Sequence, residues 1–383
     1  MKFAVLLLIL FSWTFDAGAQ AKERAHILQF IFTSDAHYGI ERSTFRGKQS
    51  VDGHIVNAAL IQEINSLPSV IFPADKGVGS GQNAGTVDFI VEGGDIANRM
   101  EIPHQSAAIS WTQFETDYVK GITLKNQFGQ PAELLIVPGN HDISDAIGFY
   151  KPMKPTTDAT SMANIYNLMM KPTIPLTRET YDYKKDKINF SKNIDGIHFM
   201  FITLWPDSSQ REWMKKDLKS ISKKMPVFIF THDQPECEAK HFSIPNFNAF
   251  NASDKFENLL PEHYKDASTA AADGGKTALE QQGWIKFLKK HCNIKAYFHG
   301  NSNWNQFYEY KGLNNNINLN TFRVDSPMKG KYSAKDETKL SFQVVTIIDP
   351  VSHRMTVREC LWNTEPGNPS CPLKWGDSKT VSF

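Results

Sequence analysis

Residues 134–142 read LLIVPGNHD, and this stretch decides the fold. Its first four residues are apolar and stop at a Pro-Gly pair, a pattern that predicts a short buried strand ended by a turn. Asn140, His141 and Asp142 follow directly, and they carry the amide oxygen, imidazole and carboxylate groups that bind metal ions in proteins. The stretch therefore predicts a strand whose carboxyl end holds reactive polar groups.

Three other apolar runs are followed by polar side chains in the same way. They are 27–33 before Asp35 and His37, 87–91 before Asp95, and 227–231 before His232 and Asp233. A single Asp behind a strand is more often a turn or cap residue, but open α/β sheets collect ligands at the carboxyl ends of their strands. Four such clusters therefore favour one shared site. Asp95 follows two glycines that allow a tight turn, and its two oxygens can bridge two cations.

Helical patterns separate these runs, which is the alternation of an α/β protein. They cover 56–64, 107–119, 210–221 and 278–290, with further strands at 197–204 and 294–298. Beyond residue 305 only strand-like runs follow, at 307–310, 317–323, 340–348 and 355–359. We expect these to form an antiparallel addition to the sheet. The glycine-rich segment 77–81 lacks the Lys-Ser or Lys-Thr of a phosphate cradle, so we predict a flexible loop there.

The composition excludes several classes of protein. The chain has 383 residues, a formal net charge of +1, 22% charged residues and 41% hydrophobic residues. A neutral balance gives no surface for gripping a nucleic-acid backbone, so we expect no nucleic-acid partner. The hydrophobic content is too high for a disordered chain, and four Cys are too few for a disulfide scaffold. We predict a single domain over 20–383 with a strand-rich C-terminal end.

The amino terminus has the pattern of an export signal. Lys2 precedes an apolar run at 3–13, and Ala17-Gly18-Ala19 supplies an Ala-x-Ala cleavage site. Because the run is too short for a permanent membrane-spanning helix, we predict a signal peptide at 1–19, no transmembrane anchor, and a secreted or periplasmic protein. A buried amino-terminal strand or helix is the alternative. In an oxidising compartment Cys360 and Cys371 could close a small loop.

Taken in order, the polar clusters resemble those of a known family. Asp35-x-His37, Gly94-Asp95, Gly139-Asn140-His141-Asp142 and Thr231-His232 resemble the motifs of the calcineurin-like metallophosphoesterases. The resemblance covers about 27–303, and the Gly-Asn-His-Asp element is its most specific part. It implies a four-layer α/β/β/α sandwich, with two mixed sheets flanked by helices.

The resemblance also implies a dinuclear metal centre. Asp35 and His37 would hold one divalent ion, Asn140 and His232 the second, and Asp95 would bridge the two. His141 would contact the substrate phosphate and donate a proton to the leaving group, with Asp142 or Asn98 holding its orientation. We therefore predict His141, Asp142 and Asn98 as the catalytic set.

The chain departs from the family at its last motif. The family pattern ends in Gly-His-x-His, whereas residues 299–303 here read His-Gly-Asn-Ser-Asn. Asn301 and Asn303 can ligate through their amide oxygens, which would favour Mn, Mg or Ca over Zn. Alternatively, His299 reaches a metal from before the glycine, or one ion binds weakly or is absent. We favour the first interpretation because the amide of Asn140 already has such a role, and we expect His299 to be a hydrogen-bonded core residue.

The predicted function is metal-dependent hydrolysis of a phosphoester by a metal-bound hydroxide at a dinuclear site. The cofactors would be two divalent ions among Mn, Fe, Zn, Mg and Ca, with hard ions favoured, and the substrate a small-molecule or lipid phosphoester. A monoester site usually needs extra cations for the dianion, and no basic cluster beyond Arg99 can be identified. Phosphodiesters therefore stay open beside monoesters. The alternative is a metal-depleted, inactive relative that acts as a secreted binding protein.

Overall fold

A computed structural model describes residues 26–97, 105–144, 158–183, 185–236, 275–348 and 353–383. The predicted signal peptide and Asn98 lie outside the described residues, as does Arg99. Within the described part of the chain, no helix combines the length and the apolar character needed to cross a bilayer.

The described residues contain fourteen strands, twelve of which form two six-stranded sheets. The strands are β1 (Ile27–Thr33), β2 (Glu41–Phe45), β3 (Lys48–Asp52), β4 (Phe89–Glu92), β5 (Glu133–Ile136), β6 (Phe190–Ile194), β7 (Ile197–Phe201), β8 (Val227–Phe230), β9 (Ile294–His299), β10 (Gln306–Tyr310), β11 (Leu319–Arg323), β12 (Ser341–Ile348), β13 (Arg354–Leu361) and β14 (Lys374–Ser382). The first sheet has the order β14-β13-β12-β1-β4-β5, and the second has the order β10-β11-β9-β8-β7-β6. Both are mixed, because β1, β4 and β5 run parallel while β12 is antiparallel to β1, and β6 is antiparallel to the parallel β7, β8 and β9.

The α-helices in the described residues are α1 (Gly53–Ser66), α2 (Ala107–Phe114), α3 (Asn140–Ser144), α4 (Thr160–Met170), α5 (Ser208–Asp217) and α6 (Gly275–Lys290). Four of these six helices, α1, α2, α5 and α6, cover periodic segments that the sequence predicts, whereas α3 and α4 were not predicted. Side chains cap three of them, since Asp52, Ser106 and Asp207 each accept a backbone hydrogen bond from the first turn. α2 continues into a π-helical turn over Glu115–Lys120. The predicted helix at 107–119 therefore forms, but with two kinds of helical hydrogen bonding.

Aromatic side chains fill the space between the two sheets. Phe30 of β1 stacks on Phe89 of β4 at 4.8 Å between ring centroids. It meets Phe230 of β8 edge-on at 5.5 Å and Phe298 of β9 at 5.6 Å. Burying a Phe side chain contributes about 2–3 kcal/mol of transfer free energy, so this layer holds the two sheets face to face.

Strand periodicity places the next residue on the opposite side of the sheet. Ile31 lies between Phe30 and Phe32 in sequence, but it packs into a second cluster with Val56 and Leu60 of α1. Successive side chains of a strand point to opposite faces. One face of β1 therefore packs against the second sheet, and the opposite face packs against α1. The predicted four-layer α/β/β/α sandwich is confirmed.

The C-terminal strands extend both sheets. β12 pairs antiparallel with β1, and β13 and β14 follow antiparallel, as expected for the region beyond residue 305. β11 instead pairs parallel with β9 of the second sheet. Cys360 and Cys371 are both buried free thiols, so they form no disulfide with each other.

Arg358 holds the glycine-rich loop against the first sheet. Its buried guanidinium donates to both oxygens of Asp75 at 2.8 and 3.0 Å and to the carbonyl of Val78 at 3.0 Å. A Cβ atom at Gly77 would lie 2.5 Å from this guanidinium, so only glycine allows the close approach. The segment 77–81 is a loop, as predicted, and an arginine distant in sequence anchors it at Asp75 and Val78.

Candidate metal centre

The loops after β1 and β4 run side by side at the strand ends. The Asp35 amide donates to the carbonyl of Gly94 at 2.8 Å, and the His37 amide donates to the carbonyl of Asp95 at 2.9 Å. Asp35, His37 and Asp95 all have positive φ, at 60°, 44° and 60°. Asn, Asp and His are the residues that enter this left-handed region most readily after glycine. The loops therefore aim these three side chains by means of an unusual backbone.

Asp95 lies at the centre of two groups of possible metal ligands. One group is Asp35, Asp95 and His232, the other is His37, Asp95 and His141, and within each the ligand atoms lie no more than 4.8 Å apart. The Asp95 Oδ2 atom is 3.3 Å from His232 Nε2, 3.8 Å from His37 Nε2 and 3.9 Å from His141 Nε2. One carboxylate thus faces both groups, as a bridging ligand must.

The electrostatics of the cluster suit bound cations. Burial opposes ionisation of Asp95, but the charges of His232, His141 and His37 outweigh it and hold the pKa of Asp95 well below its ordinary value. Burial raises the pKa of Asp35 to about 6, with His232 opposing. Asp35 Oδ1 is also buried and makes no hydrogen bond. A buried carboxylate oxygen without a donor is costly, and a cation would satisfy it. The donor set therefore fits divalent metal ions.

The Asn301 loop packs directly against Asp35. The Asn301 amide donates to Asp35 Oδ2 at 3.0 Å. A Cβ atom at Gly300 would lie 2.2 Å from the same oxygen, so a side chain there would displace the carboxylate. Asn303 Oδ1 is buried and makes no hydrogen bond. Asn301 therefore stands beside the cluster, and Asn303 follows it in the same loop.

His299 has both ring nitrogens engaged within the protein. Its Nδ1 lies 3.0 Å from the carbonyl of Gly300, and its Nε2 lies 3.1 Å from the hydroxyl of Tyr308. Burial holds the pKa of His299 well below its ordinary value. A neutral imidazole protonated at one ring nitrogen can donate from Nδ1 to the Gly300 carbonyl, and the Tyr308 hydroxyl that faces Nε2 also contacts Glu236 at 3.2 Å. The expectation of a hydrogen-bonded core histidine agrees with this arrangement, and the alternative in which His299 reaches a metal does not.

Asn140 opens α3 next to the cluster. A Cβ atom at the preceding Gly139 would lie 2.2 Å from Asp95 Oδ1 and 2.8 Å from His232 Cε1. Residue 139 therefore sits between two of the candidate ligands, and Asn140 follows it.

His141 is the most exposed side chain of the cluster. It is 13% exposed, compared with 3% for Asp95 and 0% for His232. Its backbone amide donates to Asp95 Oδ1 at 2.8 Å, and its ring meets that of His37 edge-on at 5.0 Å. His141 is therefore the side chain of the cluster that is most open to solvent.

Asp142 contacts backbone amides in the described structure. Its carboxylate accepts hydrogen bonds from Asp95, Ile96 and Gly139 at 2.8, 3.0 and 2.9 Å. Burial, reinforced by the charge of Asp95, raises the pKa of Asp142 to about 7. These contacts favour a role in fixing the loops over the predicted role in orienting His141.

Sequence reasoning missed two features of the loops that follow β8 and β9. Gln234 accepts a hydrogen bond from the side-chain amide of Asn301 at 3.2 Å, and its only signal in sequence is its place two residues after His232. Arg323 and Lys331 lie over the Trp304 ring at 3.7 and 4.1 Å from its centroid. The fold assembles this cationic pair from distant residues, so no local pattern announces it.

Comparison with known proteins gives a family match. The family model of the calcineurin-like phosphoesterases matches residues 28–300, which is more than half of the chain. No curated protein matches the chain.

Several solved structures are similar at low sequence identity. A dimetal phosphatase from Danio rerio is 10% identical, with a TM-score of 0.49 over 93% of this chain and 99% of that chain. A calcineurin-like phosphoesterase from Bacillus subtilis is 11% identical, with a TM-score of 0.35 over 94% and 90%. A phosphopantetheinyl hydrolase from Mycobacterium tuberculosis is 9% identical, with a TM-score of 0.36 over 78% and 90%.

Proposed function

The chain belongs to the calcineurin-like phosphoesterase family, and we propose that it hydrolyses phosphoesters with a pair of divalent metal ions. The observation that carries the proposal is the position of Asp95, which is shared by two groups of candidate ligands. Asp35, His37, Asn140, His232, Asn301 and Asn303 would complete the two coordination shells. Oxygen donors from aspartate and asparagine outnumber the imidazoles, which favours hard ions such as Mn, Mg or Ca.

The protein supplies the geometry of the reaction. When bound, a metal pair supplies charge neutralisation to the phosphate and activates a water molecule. Asp95 would fix the separation of the two sites because its Oδ2 atom faces the histidines of both groups, while its Oδ1 atom accepts from the His141 amide. No Ser or Cys nucleophile is needed for direct attack of water on phosphorus.

His141 is the proposed proton donor. Its partial exposure and the hydrogen bond from its amide to Asp95 place the imidazole at the edge of the site. When protonated, it would donate to the departing alkoxide oxygen.

The substrate would be a phosphoester of a small molecule or a lipid. Arg323 and Lys331 stand over Trp304, one residue beyond Asn303. They offer the positive charge that a monoester dianion requires, so both mono- and diesters are substrates to be tested.

The decisive experiment measures the metal content of the protein and its rate of phosphoester hydrolysis. Purified protein is incubated with Mn²⁺ and assayed on p-nitrophenyl phosphate and on bis-p-nitrophenyl phosphate. We expect hydrolysis of at least one ester that is abolished by a chelator and restored by Mn²⁺. A folded sample that hydrolyses neither ester with Mn, Mg, Ca, Fe or Zn would overturn the proposal.

The same experiment addresses a second candidate function. The replacement of both family histidines by Asn301 and Asn303 motivates a metal-depleted binding protein. Such a protein would bind fewer than two ions per chain and turn over neither ester.

We also propose that the protein is exported and processed after Ala19. The Lys2 start, the apolar run at 3–13 and the Ala17-Gly18-Ala19 site support this. Expression in a host with a secretory pathway, followed by intact-mass measurement of the exported protein, should show a chain that begins at Gln20. An unprocessed protein retained in the cytoplasm would contradict it.

A further inference from the structure

Each asparagine of the variant motif has two chemically different ends. The amide oxygen can bind a cation, whereas the NH2 group is a donor and cannot. Whether Asn301 and Asn303 serve as ligands therefore depends on which end faces the cluster. The hydrogen bonds of the NH2 groups decide this orientation.

Both NH2 groups are bound by acceptors of the protein. The Asn301 Nδ2 atom donates to Gln234 Oε1 at 3.2 Å. The Asn303 Nδ2 atom donates to the backbone carbonyl of Asn301 at 2.9 Å. The opposite end of the second amide, Asn303 Oδ1, is buried and makes no hydrogen bond. The two side chains thus keep their nitrogen ends on the protein, and the oxygen end of Asn303 stays without a hydrogen bond.

Gln234 is itself anchored on both sides. Its Oε1 atom also accepts from the hydroxyl of Ser302 at 3.1 Å, so one oxygen holds two consecutive residues of the loop. Its backbone carbonyl accepts from the indole nitrogen of Trp205 at 2.9 Å, and Trp205 is fully buried. The segment after β8 therefore presents Gln234 to the loop after β9 in a fixed position.

We propose that Gln234 is a positioning residue that turns the Asn301 amide so that its oxygen binds a metal ion. The inference rests on the proposed two-metal function. Because the backbone amide of Asn301 donates to Asp35 Oδ2 at 3.0 Å, residue 301 is already held beside a candidate ligand. Without the Gln234 acceptor, the amide can rotate and present its nitrogen. Loss of a group that orients a ligand typically weakens metal binding about 10–100-fold.

The test is a titration of the metal-free full-length protein with Mn²⁺. The concentration of free Mn²⁺ is measured by electron paramagnetic resonance. Gln234→Met keeps the length of the side chain but removes the acceptor, and Gln234→Glu keeps an acceptor oxygen. We expect Gln234→Met to weaken one of two ions by about 10–100-fold, and Gln234→Glu to stay within a few-fold of the wild type. Gln130→Met, at an exposed glutamine of a turn, is the matched control and should bind like the wild type.

A double variant separates orientation from general damage. Asn301→Gly removes the ligand without strain at its φ of 59°. If Gln234 acts through Asn301, adding Gln234→Met to Asn301→Gly should weaken Mn²⁺ no further, since coupled residues are not additive. If the double variant loses Mn²⁺ affinity by the product of the two single-variant losses, the inference is overturned.

The outcomes also distinguish this inference from the proposed function. A folded Gln234→Met protein that binds both ions as tightly as the wild type overturns the role of Gln234 alone. A wild-type protein that binds no Mn²⁺ overturns both. Two bound ions without any ester hydrolysis overturn the proposed function and leave the orientation effect measurable.

Discussion

The Oδ2 atom of Asp142 lies 2.8 Å from the backbone nitrogen of Asp95, and this contact joins the loop after β5 to the loop after β4. The same oxygen accepts from the Gly139 amide at 2.9 Å, while Oδ1 accepts from Ile96 at 3.0 Å. Asp142 therefore fixes the backbone on which Asp95 stands. A residue that follows the candidate ligand Asn140 by two positions thereby sets the geometry of the whole cluster.

Replacing Asp142 by Ala should destabilise the protein as well as its metal binding. Four buried amides, including that of Ala97 at 3.4 Å, would lose their acceptor, and each unsatisfied group costs about 1–3 kcal/mol. We expect the free energy of unfolding of the metal-free protein to fall by about 3 kcal/mol or more in urea denaturation. Asp336→Ala, which removes the cap of an exposed turn, should cost only about 1 kcal/mol. Equal losses for the two variants would contradict the role of Asp142.

Asp95→Asn should remove activity with little effect on the fold. Asn tolerates the positive φ of 60° at this position, but its NH2 end cannot serve as a second ligand. We expect metal content to fall below two ions per chain and ester hydrolysis to fall at least about 10³-fold, which corresponds to about 4 kcal/mol. Asp195→Asn is the matched control, since Asp195 also has positive φ, at 46°, and lies on an exposed hairpin. Wild-type turnover by Asp95→Asn would exclude a bridging role.

Restoring the family histidines should change the metal preference. The double variant Asn301→His/Asn303→His would replace the two proposed oxygen ligands by imidazole, which Zn²⁺ accepts readily. His also tolerates the φ values of 59° and 63° at these positions. We expect the ratio of Zn²⁺ to Mn²⁺ affinity to rise at least about tenfold, or about 1.4 kcal/mol, in competition titrations. Asn315→His, at an exposed Asn with φ of 51°, should leave the ratio unchanged.

The parts of the site that sequence could predict are those built from neighbouring residues. Each ligand cluster follows an apolar run within a few positions, so strand and ligands are read together, as at 134–142. The contact between Gln234 and Asn301 joins residues 67 positions apart, and the contact between Arg358 and Asp75 spans 283. A local sequence pattern cannot predict these contacts, because the fold brings residues together that are distant in sequence.

Weakly patterned strands were also missed for a physical reason. β14 carries Lys374, Gly376 and Asp377 among its residues and is mostly exposed at the edge of its sheet. Polar edge strands discourage pairing with other chains, so they lack the apolar run that announces a buried strand. The hairpin of β2 and β3 is likewise charged, with Lys48 and Glu41 exposed.

Arg358→Met should loosen the glycine-rich loop and destabilise the protein. The change removes the hydrogen-bond donor of Asp75 and of the Val78 carbonyl, which both accept from the guanidinium. Asp75 is partly exposed and can be hydrated once the guanidinium is lost, so we expect the free energy of unfolding to fall by about 1–3 kcal/mol in urea denaturation. Lys374→Met, which breaks an exposed pair with Glu365, should cost less than about 1 kcal/mol. Amide hydrogen exchange at 75–82 should be faster in Arg358→Met but not in Lys374→Met, which would assign the loss of stability to this loop. Unchanged exchange in Arg358→Met would contradict the prediction.

Asp325 should make the stability of the protein fall as pH rises. Burial raises the pKa of Asp325 well above its ordinary value, with Ser333, Ser326 and Arg42 only partly opposing. Above about pH 4 the unfolded chain releases this proton while the folded protein retains it. The unfolded state then binds fewer protons, so the free energy of unfolding decreases with pH by up to about 1.4 kcal/mol per unit until the folded pKa is reached.

The isosteric variant Asp325→Asn isolates this contribution because its side chain carries no titrating proton. We compare urea denaturation of the metal-free wild type and variant between pH 5 and 8. The free energy of unfolding of the wild type should fall relative to that of Asp325→Asn across this range, since only the wild type keeps a proton that its unfolded chain has lost. Other groups titrate equally in both proteins and cancel in the difference. A difference that is constant with pH, or that grows in favour of the wild type, would show that Asp325 is ionised in the folded protein and that a partner compensates its burial.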